Sequence, residues 1–223
     1  MSRLSTFAAV AVNLLGELVA PSRCAACDLP IGAGVLFCAA CAASVERSEA
    51  RDESSGGWTS AFEYGGAMAT AIVRLKYEER SDLAPRLGRA MLQAAERVRG
   101  RFDLVVPVPL HPRRLADRGY NQAALLALPV ARWLGTAFAP RALARLTDTP
   151  RQAALDRERR LLNVAGVFAA RDRARLRGAR VLIVDDVRTT GTTLAACADA
   201  LHEAEASAVH ALVLAQRARV RAA

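Results

Sequence analysis

The sequence predicts an α/β protein, a doubly wound parallel sheet preceded by a small N-terminal module with four cysteines. From residue 103 onward, short apolar segments alternate with segments of helical periodicity, which is the pattern of parallel strands joined by covering helices. Four of the five cysteines lie within the first fifty residues. We therefore predict an N-terminal helix and four-cysteine module at residues 1–45, a polar linker at 46–57 and the α/β domain at 58–223.

The composition excludes some classes of protein. At 52% apolar and 24% charged residues, the chain can build a sizeable core, and it contains no run of eighteen apolar residues that could cross a membrane. Its 31 Lys+Arg exceed its 22 Asp+Glu, giving a formal charge of +9. All but one of these basic residues are arginines, and the exception is Lys76. Guanidinium groups suit phosphate, so the charge favours polyanionic partners.

The cysteines at 24, 27, 38 and 41 form two Cys-x2-Cys pairs separated by ten residues. Four thiolates so spaced can surround one Zn²⁺ tetrahedrally, and two disulfides or four idle thiols are the alternatives. We predict a closed, structural Zn²⁺ site, since no histidine lies nearby. The proposed ligands are Cys24, Cys27, Cys38 and Cys41. Cys197 lies in an Ala-rich helical segment and is expected to be a buried, inert thiol.

The first twenty residues predict an amphipathic helix. Apolar residues recur at three-to-four spacing, at Phe7, Val10, Leu14 and Leu18. A secretory signal is the alternative, but the polar residues Asn13 and Glu17 interrupt the apolar stretch. We therefore expect a cytoplasmic protein with reduced thiols.

The remaining segments give the predicted order of elements. A strand is expected at 58–64, followed by helices at 67–77 and 82–98. In the α/β region, strands are expected at 104–110, 142–147, 164–170, 181–184 and 209–214, with helices at 121–134 and 192–205.

The clearest functional signal is the segment 181–193, VLIVDDVRTTGTT. Asp185 and Asp186 follow a buried strand, and a hydroxyl-rich turn around Gly191 opens a helix. Backbone N–H groups and threonine hydroxyls in such a turn can hold a phosphate monoester, while Gly191 permits close approach. Two carboxylates suit the vicinal hydroxyls of a ribose, directly or through Mg²⁺. An ordinary helix cap is the alternative. The threonines are Thr189, Thr190, Thr192 and Thr193.

This segment matches the 5-phosphoribosyl-1-pyrophosphate (PRPP) signature of phosphoribosyltransferases. The cysteine pairs, LKY at 75–77, VPVPLHPRRL at 106–115 and RGYNQA at 118–123 follow in an order that resembles the ComF family of competence-associated proteins. The pattern T-x4-Q-x2-L…R-x2-N-V-x-G-x-F over 147–168 extends the match, which runs from about residue 15 to the C-terminus. The resemblance implies a type I phosphoribosyltransferase-like sheet. The glutaminase domain of true amidophosphoribosyltransferases is absent from this sequence.

The resemblance also implies an activity: Mg²⁺-assisted displacement of pyrophosphate from PRPP by a nitrogen nucleophile that the sequence does not identify. The loop after the strand at 104–110 would contact pyrophosphate, and residues 147–163 would close over PRPP. A solvated basic loop and an exposed, salt-bridged helix are the respective alternatives. The catalytic candidates are Asp185, Asp186, Arg113 and Arg114. The PRPP-binding candidates are the threonine turn with Gly191, and His111, Arg118, Gln152 and Arg160.

A second functional class stays open beside the enzyme. The resemblance to the ComF family also implies a link to DNA uptake in natural transformation, beside a helicase-like motor. The chain could therefore be a non-catalytic accessory that handles single-stranded DNA there, or that senses PRPP. The basic charge favours this hypothesis. However, aromatic residues are only 5% of the chain, and Trp58 and Trp133 are expected in the core, which argues against base stacking. Lys76 is either a phosphate-contacting or lid residue, or an exposed helix-end lysine. The segment 120–122 either faces the leaving group or caps a helix.

Overall fold

The computed structural model describes residues 22–49, 51–52, 57–148 and 166–217. The predicted N-terminal helix and most of the predicted lid, including Gln152 and Arg160, lie outside these residues. The helices are α1 (Ala39–Ala42), α2 (Gly66–Tyr77), α3 (Ala84–Ala90), α4 (Leu92–Glu96), α5 (Pro112–Arg118), α6 (Gln122–Leu134), α7 (Arg173–Leu176) and α8 (Thr192–His202). The strands are β1 (Arg51–Asp52), β2 (Trp58–Glu63), β3 (Leu104–Pro107), β4 (Ala137–Phe138), β5 (Leu143–Arg145), β6 (Phe168–Ala170), β7 (Arg180–Arg188) and β8 (Ala208–Gln216).

Six strands form the main sheet in the order β1-β2-β8-β7-β3-β4, and every neighbouring pair is parallel except β1 with β2. The strands β5 and β6 pair antiparallel in a separate small sheet. This arrangement confirms the predicted parallel α/β architecture. Among the described residues, no helix has both the length and the apolarity that crossing a membrane requires.

Alternating residues of β7 divide the core between the two faces of the sheet. Leu182 and Val184 belong to the cluster that contains α2, α3 and α6, together with apolar residues of the cysteine module. Val181 and Ile183 belong to the cluster that contains α8 and β6. Cys197 is fully buried in this second cluster, as predicted, and burial raises the pKa of its thiol. The cysteine module therefore shares a core with one face of the sheet.

The structure extends one predicted strand and places a short strand within the predicted linker. The strand predicted at 181–184 continues to Arg188, because its pairing with β8 extends to Gln216, so the two aspartates lie within the strand. The predicted linker at 46–57 is in part an edge of the sheet. Its residues 51–52 form β1, and the N–H of Ser48 donates to the carbonyl of Ala61 at 3.0 Å. A polar, charged segment is typical of an edge strand as well as of a linker. The domain boundaries themselves stay predictions.

Two helical regions also differ from expectation. Residues 112–118 form α5 where a loop was expected: Pro112 occupies the first turn, and Gly119, with a φ of +79°, ends the helix. The single helix expected at 82–98 is divided into a 3₁₀ turn, α3 and α4. Within α3, Gly88 lets the helix approach Pro129 of α6, since a Cβ there would lie 2.9 Å from the proline ring.

Candidate functional site

A cavity of about 690 Å³ opens at the carboxyl ends of β3 and β7. Open α/β sheets bind ligands at this edge. The residues that line the cavity are mostly charged or polar. They include Lys76, Tyr77, Arg114, Asp117, Arg118, Tyr120, Gln122, Arg145, Asp185, Asp186 and Thr193.

The two predicted carboxylates are both buried in the wall of this cavity, Asp185 at 9% exposure and Asp186 at 3%. Asp186 forms an ion pair with Lys76, whose Nζ lies 2.7 Å from its Oδ1. Oδ1 of Asp185 accepts the backbone N–H of Asp186 at 2.8 Å. Oδ2 of Asp186 is buried and has no hydrogen-bond partner among the described residues. The pair can therefore accept hydrogen bonds from a ligand's hydroxyl groups.

Burial, followed by the neighbouring charge of Asp186, raises the pKa of Asp185 to about 7, although the charge of Lys76 opposes this shift. The sequence gives no indication of this shift, since it depends on the desolvation of the strand end. A carboxyl that titrates near neutral pH is stabilised by any ligand that donates hydrogen bonds to it. A ligand that donates hydrogen bonds to Asp185 would therefore favour its ionised form.

We expect Asp185→Asn to stabilise the ligand-free protein at pH 8 by about 1–2 kcal/mol relative to wild type. The folded-state pKa lies above the unfolded value, so the folded state binds more protons between about pH 4 and 7. Wild-type stability therefore falls as pH rises through this window, while the asparagine does not titrate. Urea unfolding at pH 8 and pH 5 checks this. The advantage of the variant must shrink at pH 5, and an equal advantage at both pH values would contradict the prediction.

The threonine turn follows β7 and leads into α8. Gly191 has a φ of +87°, a left-handed conformation that favours glycine, and a Cβ there would lie 3.2 Å from the guanidinium of Arg188, which would have to shift slightly. Thr190 and Thr192 form a hydrogen bond between their hydroxyls at 2.8 Å. Thr193 lines the main cavity, whereas Thr190, Gly191 and Thr192 line a second cavity of about 350 Å³. The turn and the first N–H groups of α8 could accept an anion, as the N-terminus of a helix can.

Two of the four predicted basic-loop residues reach the cavity, namely Arg114 and Arg118. They are four residues apart on α5 and so share one face of that helix, whereas Arg113 points elsewhere and is exposed. Arg114 donates from Nε to Asp148 at 2.9 Å. His111 does not line the cavity. It caps α5 instead, since its Nδ1 accepts the N–H of Arg113 at 3.3 Å.

The segment 120–122 was predicted either to face the leaving group or to cap a helix, and its residues differ in position. Asn121 caps α6 by accepting the N–H of Ala123 at 3.0 Å. Tyr120 and Gln122 line the cavity. Burial raises the pKa of Tyr120, whose hydroxyl donates to the carbonyl of Leu75.

Arg145, on β5, also lines the cavity, although the sequence does not predict it as a site residue. It donates from Nε to the carbonyl of Thr147 at 3.2 Å and lies 5.5 Å from the ring of Phe168, and burial lowers its pKa. No motif marks it in a chain with so many arginines. The cavity thus has cationic groups on three elements, α2, α5 and β5.

The expectation that Trp133 lies in the core is wrong. Its side chain is 48% exposed on α6, where Nε1 donates to Glu96 at 2.9 Å and Arg99 lies 5.7 Å from the ring. Apolar neighbours along a helix do not determine which side of it faces solvent. Trp58 is half-buried, and the guanidinium of Arg188 lies 4.0 Å from its ring.

The four predicted zinc ligands come together, with all Sγ atoms within 4.8 Å of one another. Burial raises the pKa of Cys24, but the N–H groups of Cys38, Ala26 and Cys27 outweigh it and lower the value to about 6. Hydrogen bonds with Cys27 and Cys38 raise the pKa of Cys41 to about 12. These opposite pKa shifts favour a single thiolate in the cluster, so a bound cation is needed to stabilise four thiolates together. The donors fit a closed, structural Zn²⁺ site.

Comparison with known proteins gives consistent matches. Residues 120–222 match the family model described as phosphoribosyl transferase domain. The chain is 33% identical to DNA utilization protein YhgH of Salmonella typhi over 81% of this chain and 78% of that protein. It is 32% identical to Competence protein F of Haemophilus influenzae over 57% of this chain and 58% of that protein. A solved structure of the allosteric regulatory enzyme of purine biosynthesis aligns with a TM-score of 0.41 and 24% identity, over 60% of this chain and 25% of that longer chain.

Proposed function

The chain belongs to the ComF family, and we propose that it binds PRPP and transfers the phosphoribosyl group of PRPP to an acceptor. It has a type I phosphoribosyltransferase fold with a four-cysteine module. The observation that supports the proposal most directly is one cavity with a buried acidic pair on β7 and arginines on α5. PRPP presents a diol, a phosphate monoester and a pyrophosphate. The cavity and its rim offer one matching group for each.

In the proposed complex, the ribose hydroxyls donate to Asp185 and Asp186, and the 5-phosphate accepts N–H groups of the turn around Gly191. Arg114 and Arg118 contact the pyrophosphate. A nitrogen nucleophile attacks the anomeric carbon, the C–N bond forms as the C–O bond to pyrophosphate breaks, and the carbon is inverted. Guanidinium groups stabilise the charge that grows on the leaving group. Mg²⁺ bound with PRPP supplies further neutralisation of that charge.

Calorimetric titration of PRPP with Mg²⁺ into the full, zinc-loaded chain tests the binding proposal. We expect micromolar binding, and much weaker binding of ribose 5-phosphate, which lacks the pyrophosphate. A pyrophosphate-release assay with candidate amines then tests transfer. Folded protein that does not bind PRPP would contradict the binding proposal, and binding without release for any amine would favour a PRPP sensor.

The two adjacent arginines of α5 give a matched pair of variants. We expect Arg114→Gln to raise the Kd for PRPP and for free pyrophosphate about tenfold or more, because it removes a charge-assisted contact in the cavity. Arg113→Gln changes the net charge equally but lies outside the cavity wall, so we expect a change below twofold. Titration of both variants with both ligands checks this. Equal effects would mean that only the overall charge matters.

For the cellular role, we propose that the protein acts in DNA uptake or utilisation, in the cytoplasm and beside a helicase-like motor. The curated relatives are called DNA utilization protein and Competence protein F, which supports this role. Trp133 is exposed and Arg99 covers one face of its ring, so a base could stack on the other face, which supports a second candidate function, single-stranded DNA binding. The affinity for an oligonucleotide, measured at several salt concentrations with wild type and Trp133→Ala, tests it. Unchanged affinity in the variant would contradict the stacking role.

A further inference from the structure

The first cysteine pair is attached to helix α2 by charged contacts. Asp28 follows Cys27 directly and has a φ of +60°, a conformation that few non-glycine residues adopt. Its carboxylate is held by two guanidinium groups, since Arg74 binds Oδ2 and Nη1 of Arg80 lies 2.8 Å from Oδ1. Arg74 also donates to the carbonyl of Ala25, between the first two cysteines, at 3.3 Å. The Arg74 side chain is only 10% exposed, whereas that of Asp28 is 41% exposed, so the guanidinium is buried and the carboxylate is partly open to water.

The next residues of the same helical turn contact the substrate cavity. The carbonyl of Leu75 accepts the hydroxyl of Tyr120, and Lys76 pairs with Asp186. The ring of Tyr77 lies 5.4 Å from the guanidinium of Arg118, and both of these residues line the cavity. Arg74 therefore contacts the cysteine module, and the three residues that follow it on α2 contact the acidic pair, the loop between α5 and α6, and the end of α5.

We propose that Asp28 and Arg74 are positioning residues, through which the four-cysteine module sets the place of Lys76 in the substrate cavity. The inference rests on the proposed function, because it takes PRPP as the ligand of that cavity. The four-cysteine module then supports the phosphoribosyl site, and tight binding of the substrate depends on it.

The geometry of the helix explains the coupling. Arg74 and Lys76 are two residues apart, a rise of about 3 Å, so a displacement at one is transmitted to the other. Nζ of Lys76 lies 2.7 Å from Oδ1 of Asp186. A shift of α2 by about 1 Å would stretch this contact beyond hydrogen-bonding distance. Asp186, at 3% exposure, would then lose its cation. A displaced Lys76 would also change the charge that PRPP meets in the cavity.

Calorimetry with conservative variants tests the proposal. Asp28→Asn keeps the side-chain shape and all four cysteines, and we expect it to raise the Kd for Mg²⁺-PRPP about threefold to tenfold at unchanged zinc content. Asp103→Asn is the matched control, since it breaks the exposed ion pair with Arg180 at the other end of β3 and β7. If Asp28→Asn loses zinc, Arg74→Gln breaks the same contact from the helix side. Unchanged PRPP affinity in Arg74→Gln would overturn the proposal.

The single lysine supplies a readout that needs no substrate. Lys76 is 19% exposed and paired, so it should react slowly with an amine-reactive reagent, and peptide mass spectrometry separates it from the N-terminal amine. We expect Asp28→Asn to accelerate labelling of Lys76 severalfold, while Asp103→Asn leaves the rate unchanged. Equal labelling rates in wild type and Asp28→Asn would overturn the coupling.

A double-mutant cycle shows whether the effect on substrate passes through Lys76. In a Lys76→Met background, we expect Asp28→Asn to cause no further loss of PRPP affinity. Additive losses would overturn the proposed route. If wild type does not bind PRPP at all, the proposed function fails, whereas the labelling rates still decide whether the module positions Lys76.

Discussion

Replacing both Asp185 and Asp186 with asparagine will weaken PRPP binding about 100-fold or more. Each carboxylate is expected to accept a hydrogen bond from a ribose hydroxyl, and such charged hydrogen bonds contribute about 1.5–3 kcal/mol apiece. Asparagine keeps the shape but weakens the acceptor and removes the charge. Titration of Mg²⁺-PRPP into the double variant measures the loss, with circular dichroism to confirm the fold.

The matched control is the double variant Asp103→Asn, Asp199→Asn, which removes the same charge from two acids that do not line the cavity. We expect its Kd for PRPP to stay within twofold of wild type. The Asp185→Asn, Asp186→Asn protein should also lack the loss of stability between pH 5 and 8 that is expected from the titration of Asp185. A folded variant that still binds PRPP normally would refute the assignment of the ribose site to β7.

The second large effect is expected from metal loss. We expect one Zn²⁺ per chain in wild type, and Cys24→Ser to abolish it and lower the free energy of unfolding by about 3 kcal/mol or more. Cys24 is fully buried and belongs to the core cluster that includes α2 and α6, so the damage should reach the α/β domain. Elemental analysis gives the metal content, and urea unfolding with and without a chelator gives the stability.

Cys197→Ala is the control for this experiment, since it also removes a buried thiol but lies in the other core cluster. It should keep its zinc and lose about 1 kcal/mol through the small cavity. Wild-type protein that is stable, reduced and free of metal would contradict the zinc prediction.

Parts of the site were predictable because their chemistry lies in neighbouring residues. The spacing of the cysteine pairs predicts the cluster of four Sγ atoms, and an apolar run before Asp185 predicts a buried strand. The alternation of strands and helices predicts the parallel sheet, since period and length are local properties. The family resemblance extends this to the phosphoribosyltransferase fold, and PRPP as the ligand stays a proposal. The predicted roles of Gln152 and Arg160 stay predictions.

The tertiary structure alone decided which side chains meet. Helical phase on α5 brings Arg114 into the cavity and leaves Arg113 outside, although a loop would have allowed either. The ion pair of Lys76 with Asp186 joins residues on α2 and β7 that are distant in the chain, and Arg145 enters from β5. Periodicity and motifs report local preference, whereas these contacts depend on how elements pack. Local sequence patterns are therefore sufficient to predict the kind of fold and the chemical groups available, whereas packing sets the pairs of charges that form the site.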